Sequence, residues 1–184
     1  MKIALIILLV IVVLIALYFI STYNTLVSLR NKVKDQWSQI DVVLKNRNDL
    51  IPNIVETVKG YAKHEKDTLD AVIEARSKAV SATTKDDEIK ASGEVTQALG
   101  RLFALAESYP ELKANTNFLD LQNKLNEIEE KIRYARQFYN DSVLSYNNKI
   151  ELFPSSIIAS MFHFEKEKFF EASAEERKNV QVKF

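Results

Sequence analysis

The sequence contains no cysteine and, in 184 residues, only three glycines and three prolines. The absence of cysteine excludes disulfide bonds, thiolate zinc sites, iron–sulfur clusters and thiol nucleophiles. Phosphate-binding loops need several glycines close together, whereas Gly60, Gly93 and Gly100 are isolated. We therefore expect a chain built from long regular elements, without a nucleotide-binding loop.

The chain also lacks an excess of charge of either sign. Lysine plus arginine and aspartate plus glutamate both number 25. A protein with no net charge has no long-range field that attracts nucleic acid or an anionic bilayer. The composition therefore predicts that nucleic acid is not a partner.

A long uncharged apolar run occupies the N-terminus. Residues 3–20 read IALIILLVIVVLIALYFI, and a helix of this length spans about 27 Å, close to the hydrocarbon thickness of a bilayer. A secretory signal peptide is the alternative interpretation, but no A-x-A-like cleavage site follows the run. We predict an uncleaved, single-span transmembrane anchor over residues 1–22.

Positive charges near the anchor predict its orientation. Arg30, Lys32 and Lys34 follow the apolar run, whereas only Lys2 and the terminal amine precede it. Because the cytoplasmic flank of a span carries more lysine and arginine, we expect a short N-terminus outside the cell membrane. The remaining residues, about 160, would form one soluble domain on the cytoplasmic side.

Apolar residues beyond the anchor recur at helical spacing, so the predicted fold class is all-α. The clearest helix covers residues 117–153, and its 3-4-3-4 spacing is typical of knobs-into-holes packing. We expect Asn117 to cap its start and Pro154 to end it near Phe153. The positions that follow the pattern are Phe118, Leu121, Leu125, Ile128, Ile132, Ala135, Tyr139, Ser142 and Tyr146.

Three further helices are predicted as partners for this long helix. The first carries an apolar stripe from Leu26 to Leu44 and continues the anchor without a break. The second covers Leu50 to Val80, with Asp49 as its N-cap and Pro52 in its first turn. The polar residues 46–49 (NRND) would then form the joint between the first two helices.

The third of these helices runs through Val95 to Ala106, after a polar link. Together the segments predict a transmembrane helix that continues into an antiparallel four-helix bundle over residues 23–154. A phenylalanine-rich C-terminal tail, residues 155–184, is expected to pack on the bundle.

The residue patterns of known metal and nucleophile sites are absent. A di-iron bundle needs Glu-x-x-His motifs, but the residues three before His64 and His163 are Tyr61 and Ser160. The zinc-protease motif H-E-x-x-H also fails, because Thr68 stands in place of its second histidine. We expect no enzymatic activity, no cofactor and no metal site.

Six polar residues lie on or beside the apolar stripes, where a plain bundle has no need of them. One interpretation is that they pair within the bundle, since an unpaired buried charge is costly. The other is that they line a groove that receives a partner. Both stay open for Asp41, Asp49, Glu56, Arg76, Arg136 and Asn140. The adjacent carboxylates Glu129 and Glu130 are interpreted as surface charges.

Two blocks of this sequence resemble a known family. YNTLVSLRNKVKDQWSQIDVVLKNRNDLIPNIVETVKGYAKHE, residues 23–65, and YPELKANTNFLDLQNKLNEIEEKIRYARQFYN, residues 109–140, are similar to the two signature blocks of the LemA family and follow an anchor in the same order. The resemblance covers most of residues 1–154. It implies a bacterial single-pass membrane protein with its N-terminus outside, a cytoplasmic helical domain and no settled molecular function.

The function that we expect is that of a scaffold or adaptor at the bacterial cell membrane. An anchored helical domain with balanced charge and no catalytic motif suits binding to a protein partner, or self-assembly, which would add avidity without new contacts. Two alternatives are a membrane-shaping protein whose tail inserts at a lipid interface and an enzyme with an unrecognised polar site.

Overall fold

The computed structural model describes residues 1–171, and the predicted all-α class is confirmed for them. Six helices and no strand occur in this part of the chain. The antiparallel four-helix bundle stays a prediction, and the part of the predicted tail at residues 172–184 lies outside the described residues. The helices are α1 (Lys2–Tyr61), α2 (Lys66–Ser81), α3 (Lys85–Ala106), α4 (Pro110–Lys113), α5 (Thr116–Glu151) and α6 (Ser155–Met161).

α1 is a single helix of 60 residues, so the joint predicted at residues 46–49 is wrong. The chain leaves the helix only at residues 62–65, and the predicted second helix is divided between the end of α1 and α2. Asp49 is therefore not an N-cap. It is exposed in the middle of α1 and forms an ion pair with Lys45, one turn earlier, at 2.5 Å.

The physical reason is that the apolar stripe of the first helix continues in phase across these polar residues. Leu44 and Ile51 are both buried, and Arg47 and Asn48 occupy the inward positions between them and are buried too. Polar residues at inward positions look like a loop in the sequence. Here they continue the buried face of a helix.

The N-terminal part of α1 has the expected character of a membrane span. Among residues 1–171, α1 is the one helix long and apolar enough to cross a membrane, and its most apolar 18-residue window is not buried at all by other parts of the protein. Residues 1–18 are exposed, Phe19 is half-buried, and Thr22 is the first buried residue. The packed part of the protein therefore begins directly after the apolar run.

Residues 1–39 and 136–169 form one compact unit. The ring of Trp37 on α1 meets the ring of Tyr139 on α5, with their centres 5.2 Å apart. The segment after α6 is held by side chains of α5, because the Tyr139 hydroxyl donates to the carbonyl of Lys168 at 2.9 Å. The Asn147 amide bonds both backbone groups of Glu167, at 2.8 and 3.0 Å.

Residues 40–135, with residues 170 and 171, belong to a second compact unit. Its core draws apolar side chains from the last third of α1, from α2, α3 and α4, and from the start of α5. The buried members include Ile51, Ile54, Val58, Leu69, Val72, Val95, Leu99, Leu102, Leu112, Phe118 and Leu125. Burial of side chains from five helical segments in one core holds these segments together.

Side-chain caps set two helix starts in the second unit. The hydroxyl of Thr84 accepts from the backbone N–H of Asp87 at 3.2 Å at the start of α3. At the start of α5 the side-chain oxygen of Asn115 accepts from the N–H of Phe118 at 3.0 Å. The predicted cap at Asn117 is wrong by two residues.

Candidate docking site

Arg47 is wholly buried within the second unit and has a dense set of hydrogen bonds. One terminal nitrogen, Nη1, donates to Thr96 Oγ1 at 3.0 Å and to Glu129 Oε1 at 3.1 Å. The other, Nη2, donates to the carbonyl and the hydroxyl of Ser92, at 3.2 and 3.0 Å. A single guanidinium thereby joins α1, α3 and α5.

Arg47 was not identified as an important residue from the sequence, and the ion-pair partner of Arg47 was assigned to the surface. Glu129, interpreted above as a surface charge, has a side chain only 34% exposed and forms an ion pair with Arg47. One signal for Arg47 was present, since it lies three residues after Leu44 and four before Ile51 on the same stripe. No comparable local signal marks Glu129, which lies 82 residues further along the chain.

Arg76 occupies a position created by the proline inside α1. Pro52 has no N–H, so the carbonyl of Asn48, four residues earlier, lacks its helical donor. Arg76 on α2 supplies a replacement, because its Nε donates to the Asn48 carbonyl at 2.8 Å. This contact satisfies the freed carbonyl and fixes the plane of the guanidinium.

A cavity of about 370 Å³ lies against this contact, and we call it the Arg76 cavity. It brings together three of the six predicted residues, Asp41, Asp49 and Arg76. Its charged lining is balanced in sign, and its other walls are mostly small or apolar. The lining residues are Asp41, Val42, Leu44, Lys45, Arg47, Asn48, Asp49, Arg76, Ala79, Val80, Ala82, Glu88 and Ser92.

Two polar groups at the Arg76 cavity have unused hydrogen-bonding capacity within residues 1–171. The terminal nitrogens of Arg76 have no acceptor there, since its one hydrogen bond is made by Nε. The side-chain oxygen of Asn48 is buried and has no donor. Buried polar atoms are nearly always paired. The site therefore suits a ligand that offers an acceptor to the Arg76 nitrogens and a donor to the Asn48 oxygen.

The other three predicted residues do not line this cavity. Glu56 is exposed on α1 and pairs with Lys59 at 3.5 Å, which makes it an ordinary surface charge. Arg136 and Asn140 are half-buried and lie one turn apart on α5, in the first unit. A docking role for these three stays a prediction.

An ion-pair cluster joins the two helices that carry much of the cavity wall. Lys78 on α2 pairs with Glu74, one turn earlier, at 3.1 Å and with Glu94 on α3 at 3.3 Å. The hydrogen bonds that Lys78 donates to the two carboxylates, that to Glu74 first, raise the pKa of Lys78 above its usual value. The ammonium group thus stays charged at physiological pH and links α2 to α3.

These features define a class of protein: a membrane-associated, all-helical protein with a packed helical part directly behind an N-terminal span. The chain belongs to the LemA family, whose sequence profile matches residues 36–184. The family resemblance of the two sequence blocks is thereby confirmed.

Individual relatives match most of the chain at low identity. The protein is 26% identical to Protein LemA of Metamycoplasma hominis, over 89% of this chain and 75% of that protein. It is 25% identical to Magnetosome protein MamQ 2 of Paramagnetospirillum magneticum, over 89% of this chain and 71% of that protein. A MamQ protein of Magnetospirillum gryphiswaldense is 24% identical, over 80% and 64% of the two chains.

Proposed function

We propose that this protein is a non-enzymatic scaffold or adaptor at the bacterial cell membrane, and that it binds a polypeptide partner in the Arg76 cavity. One observation carries the proposal: Arg76 is held by the Asn48 carbonyl with both terminal nitrogens unpaired within the described residues. A fixed guanidinium presents two parallel donors, a geometry that suits carboxylate and carbonyl acceptors.

The rest of the cavity supports a polypeptide as the ligand. A peptide backbone offers N–H groups for the Asn48 oxygen and carbonyls or carboxylates for Arg76. Apolar side chains of the partner could lie against Val42 and Val80, which are exposed at the cavity. The volume, about 370 Å³, lies at the lower end of the usual range for ligand sites, so it suits a few residues of a partner.

The proposed location and orientation rest on the span and its flanks. Two relatives are named as magnetosome proteins, which supports a place at a membrane. The lysines and arginine that follow the apolar run favour a cytoplasmic helical domain with the short N-terminus outside. The partner is then a cytoplasmic polypeptide or a second copy of this chain.

A site-specific crosslink in the full-length protein tests this function. A photoreactive amino acid at Val80, on the cavity wall, should form a discrete adduct in cells. The same residue at Leu119, also an exposed apolar position of the second unit, should not form it. Mass spectrometry of the adduct distinguishes another protein from a second copy of this chain.

The control for specificity is the Arg76→Gln variant carrying the same photoreactive residue at Val80. It removes the charge and the paired donors, so the adduct should fall about tenfold, the effect of losing a charge-assisted hydrogen bond. Circular dichroism checks that the variant stays folded. Monomer alone, equal adducts at both positions, or an adduct that Arg76→Gln leaves unchanged would each count against the proposal.

A further inference from the structure

We propose that an exposed apolar surface around α6 lies in the bilayer interface, beside the point at which α1 leaves the hydrocarbon. The surface is formed by Leu152, Phe153, Ile157, Met161 and Phe162, which we call the α6 patch. Their exposed fractions range from 50% to 81%. Large apolar side chains exposed together mark a contact surface for a protein or a membrane.

Ring contacts place the α6 patch at the end of the membrane span. The ring of Phe162 lies 4.7 Å from that of Tyr23, and the ring of Phe164 lies 5.9 Å from it. Tyr23 follows the last residue of the apolar run, Ile20, by three residues, which is about 4.5 Å along a helix. Phe162, at one end of the patch, therefore lies beside α1 close to the end of the apolar run.

The residues of α1 become buried at the same point along the helix, just after the apolar run. Phe19 is half-buried within the first unit, and Thr22 and Leu26 are buried. The packed part of this unit starts where the hydrocarbon of a spanned bilayer would end. Apolar faces of interfacial helices sink about 5–10 Å into the boundary between headgroups and acyl chains, and the patch lies within that reach.

α6 has two faces that differ in what they contact. Ser155, Ile158 and Ala159 are buried against the protein, whereas Ile157 and Met161, four residues apart, point outward. The outward side chains continue the exposed apolar surface of Phe153. Because α1 holds this surface at the membrane, the occupant that the geometry favours is lipid.

Two cations near the patch have partners within the protein, which bears on the kind of lipid surface. Lys166 pairs with Glu151, the last residue of α5. Arg30 is placed over the ring of Phe164, with its guanidinium carbon 5.1 Å from the ring centre. Cations with partners in the protein give no reason for a requirement for anionic lipid, so zwitterionic phosphatidylcholine should be sufficient.

Fluorescence quenching by lipid tests the proposal on the full-length chain. The protein has no cysteine, so the variants Ile157→Cys and Met161→Cys each carry one label. The labelled proteins are placed in phosphatidylcholine vesicles that contain a lipid spin-labelled near the headgroup. Emission of an environment-sensitive dye at either position should fall about twofold, as expected for a group at the acyl boundary.

Leu144→Cys is the matched control, because Leu144 on α5 is as exposed as Ile157, at 50% against 51%. Its dye should keep the emission of an aqueous site. Emission without lipid quenching at positions 157 and 161 overturns the proposal, as does equal quenching at position 144. A blue-shifted but unquenched dye at position 157 also overturns it, because another protein surface would then cover the patch. Phe153→Cys provides a third position with the same expected result.

Discussion

At the scale of single residues, two arginines show how neighbouring acceptors decide what a polar side chain does. Arg47 is wholly buried, and its two terminal nitrogens donate to Ser92, Thr96 and Glu129 inside the second unit. Within residues 1–171, Arg76 has its Nε bonded to the Asn48 carbonyl and no acceptor for its terminal nitrogens. Arg47 therefore has a structural role, whereas Arg76 is the residue to which we assign the proposed binding.

Replacement of Arg47 by methionine tests its structural role. The variant leaves the partly buried Glu129 without its cation, and loss of one partner of a buried ion pair costs about 3 kcal/mol of unfolding free energy. The matched control is Arg133→Met, because Arg133 pairs with Glu130 at 2.6 Å but both side chains are exposed. Denaturant unfolding of the full-length proteins in detergent should show a much smaller effect for the control. Equal effects would contradict the burial argument.

Tyr146 predicts a loss of stability at alkaline pH. It is 1% exposed, and its burial raises the pKa of its hydroxyl above 10.0, with Glu167 and Glu165 adding to the shift and Arg30 opposing it. Between the unfolded and folded pKa values the native state retains a proton that the unfolded state has lost. The contribution of this group is therefore complete below pH 10 and decreases as the pH rises.

The variant Tyr146→Phe should accordingly flatten the decline of unfolding free energy as the pH rises above 10. Tyr134→Phe is the control, since Tyr134 is 48% exposed. Unfolding in denaturant at a series of pH values measures both slopes. A Tyr146→Phe slope that matches the unsubstituted protein would refute the assignment.

At the scale of elements, the proline inside α1 is compensated by a contact from a different helix. A proline inside a helix removes one backbone hydrogen bond and costs about 3 kcal/mol or more. Arg76 restores a donor to the Asn48 carbonyl from 28 residues away in the sequence. The position of Pro52 therefore couples α1 to α2, and it also orients the guanidinium at the cavity.

A double-mutant cycle between Pro52 and Arg76 measures this coupling. Arg76→Met should cost about 1–2 kcal/mol of unfolding free energy, because the Asn48 carbonyl loses its donor. In the background of Pro52→Ala, the new N–H at position 52 can bond that carbonyl. The same Arg76→Met substitution should then cost about 1 kcal/mol less. Strict additivity of the two substitutions would show that the Arg76 bond does not replace the missing helical bond.

At the scale of the whole molecule, the positive charges that follow the span predict the side of the membrane on which the helical domain lies. We expect the helical domain to be cytoplasmic. In intact cells a single cysteine at Ser81 should react at most slightly with a membrane-impermeant maleimide. Permeabilised cells, the control, should label fully. Strong labelling of intact cells would reverse the assigned orientation and move the proposed partner to the outer side.

Local sequence patterns were sufficient for several features of this protein. The all-α class, the apolar span, the length of α5 and its end shortly before Pro154 follow from composition, periodicity and the geometry of proline, which act between near neighbours. The family was identified by the resemblance of two sequence blocks and is confirmed by its sequence profile. The same patterns singled out Asp41, Asp49 and Arg76, which the fold brings to one cavity.

Contacts between distant residues decided the rest. The Asn48 carbonyl that Pro52 leaves free within α1 is bonded by Arg76, and the buried charge of Arg47 is bonded by Glu129 and Ser92. The spacing of apolar residues does not indicate such distant partners. For this reason the polar residues 46–49 (NRND) were interpreted as a joint between helices. The sequence by itself determined where helices could form. Only the tertiary structure decided which polar side chains find partners inside it, because those partners lie far away in the sequence.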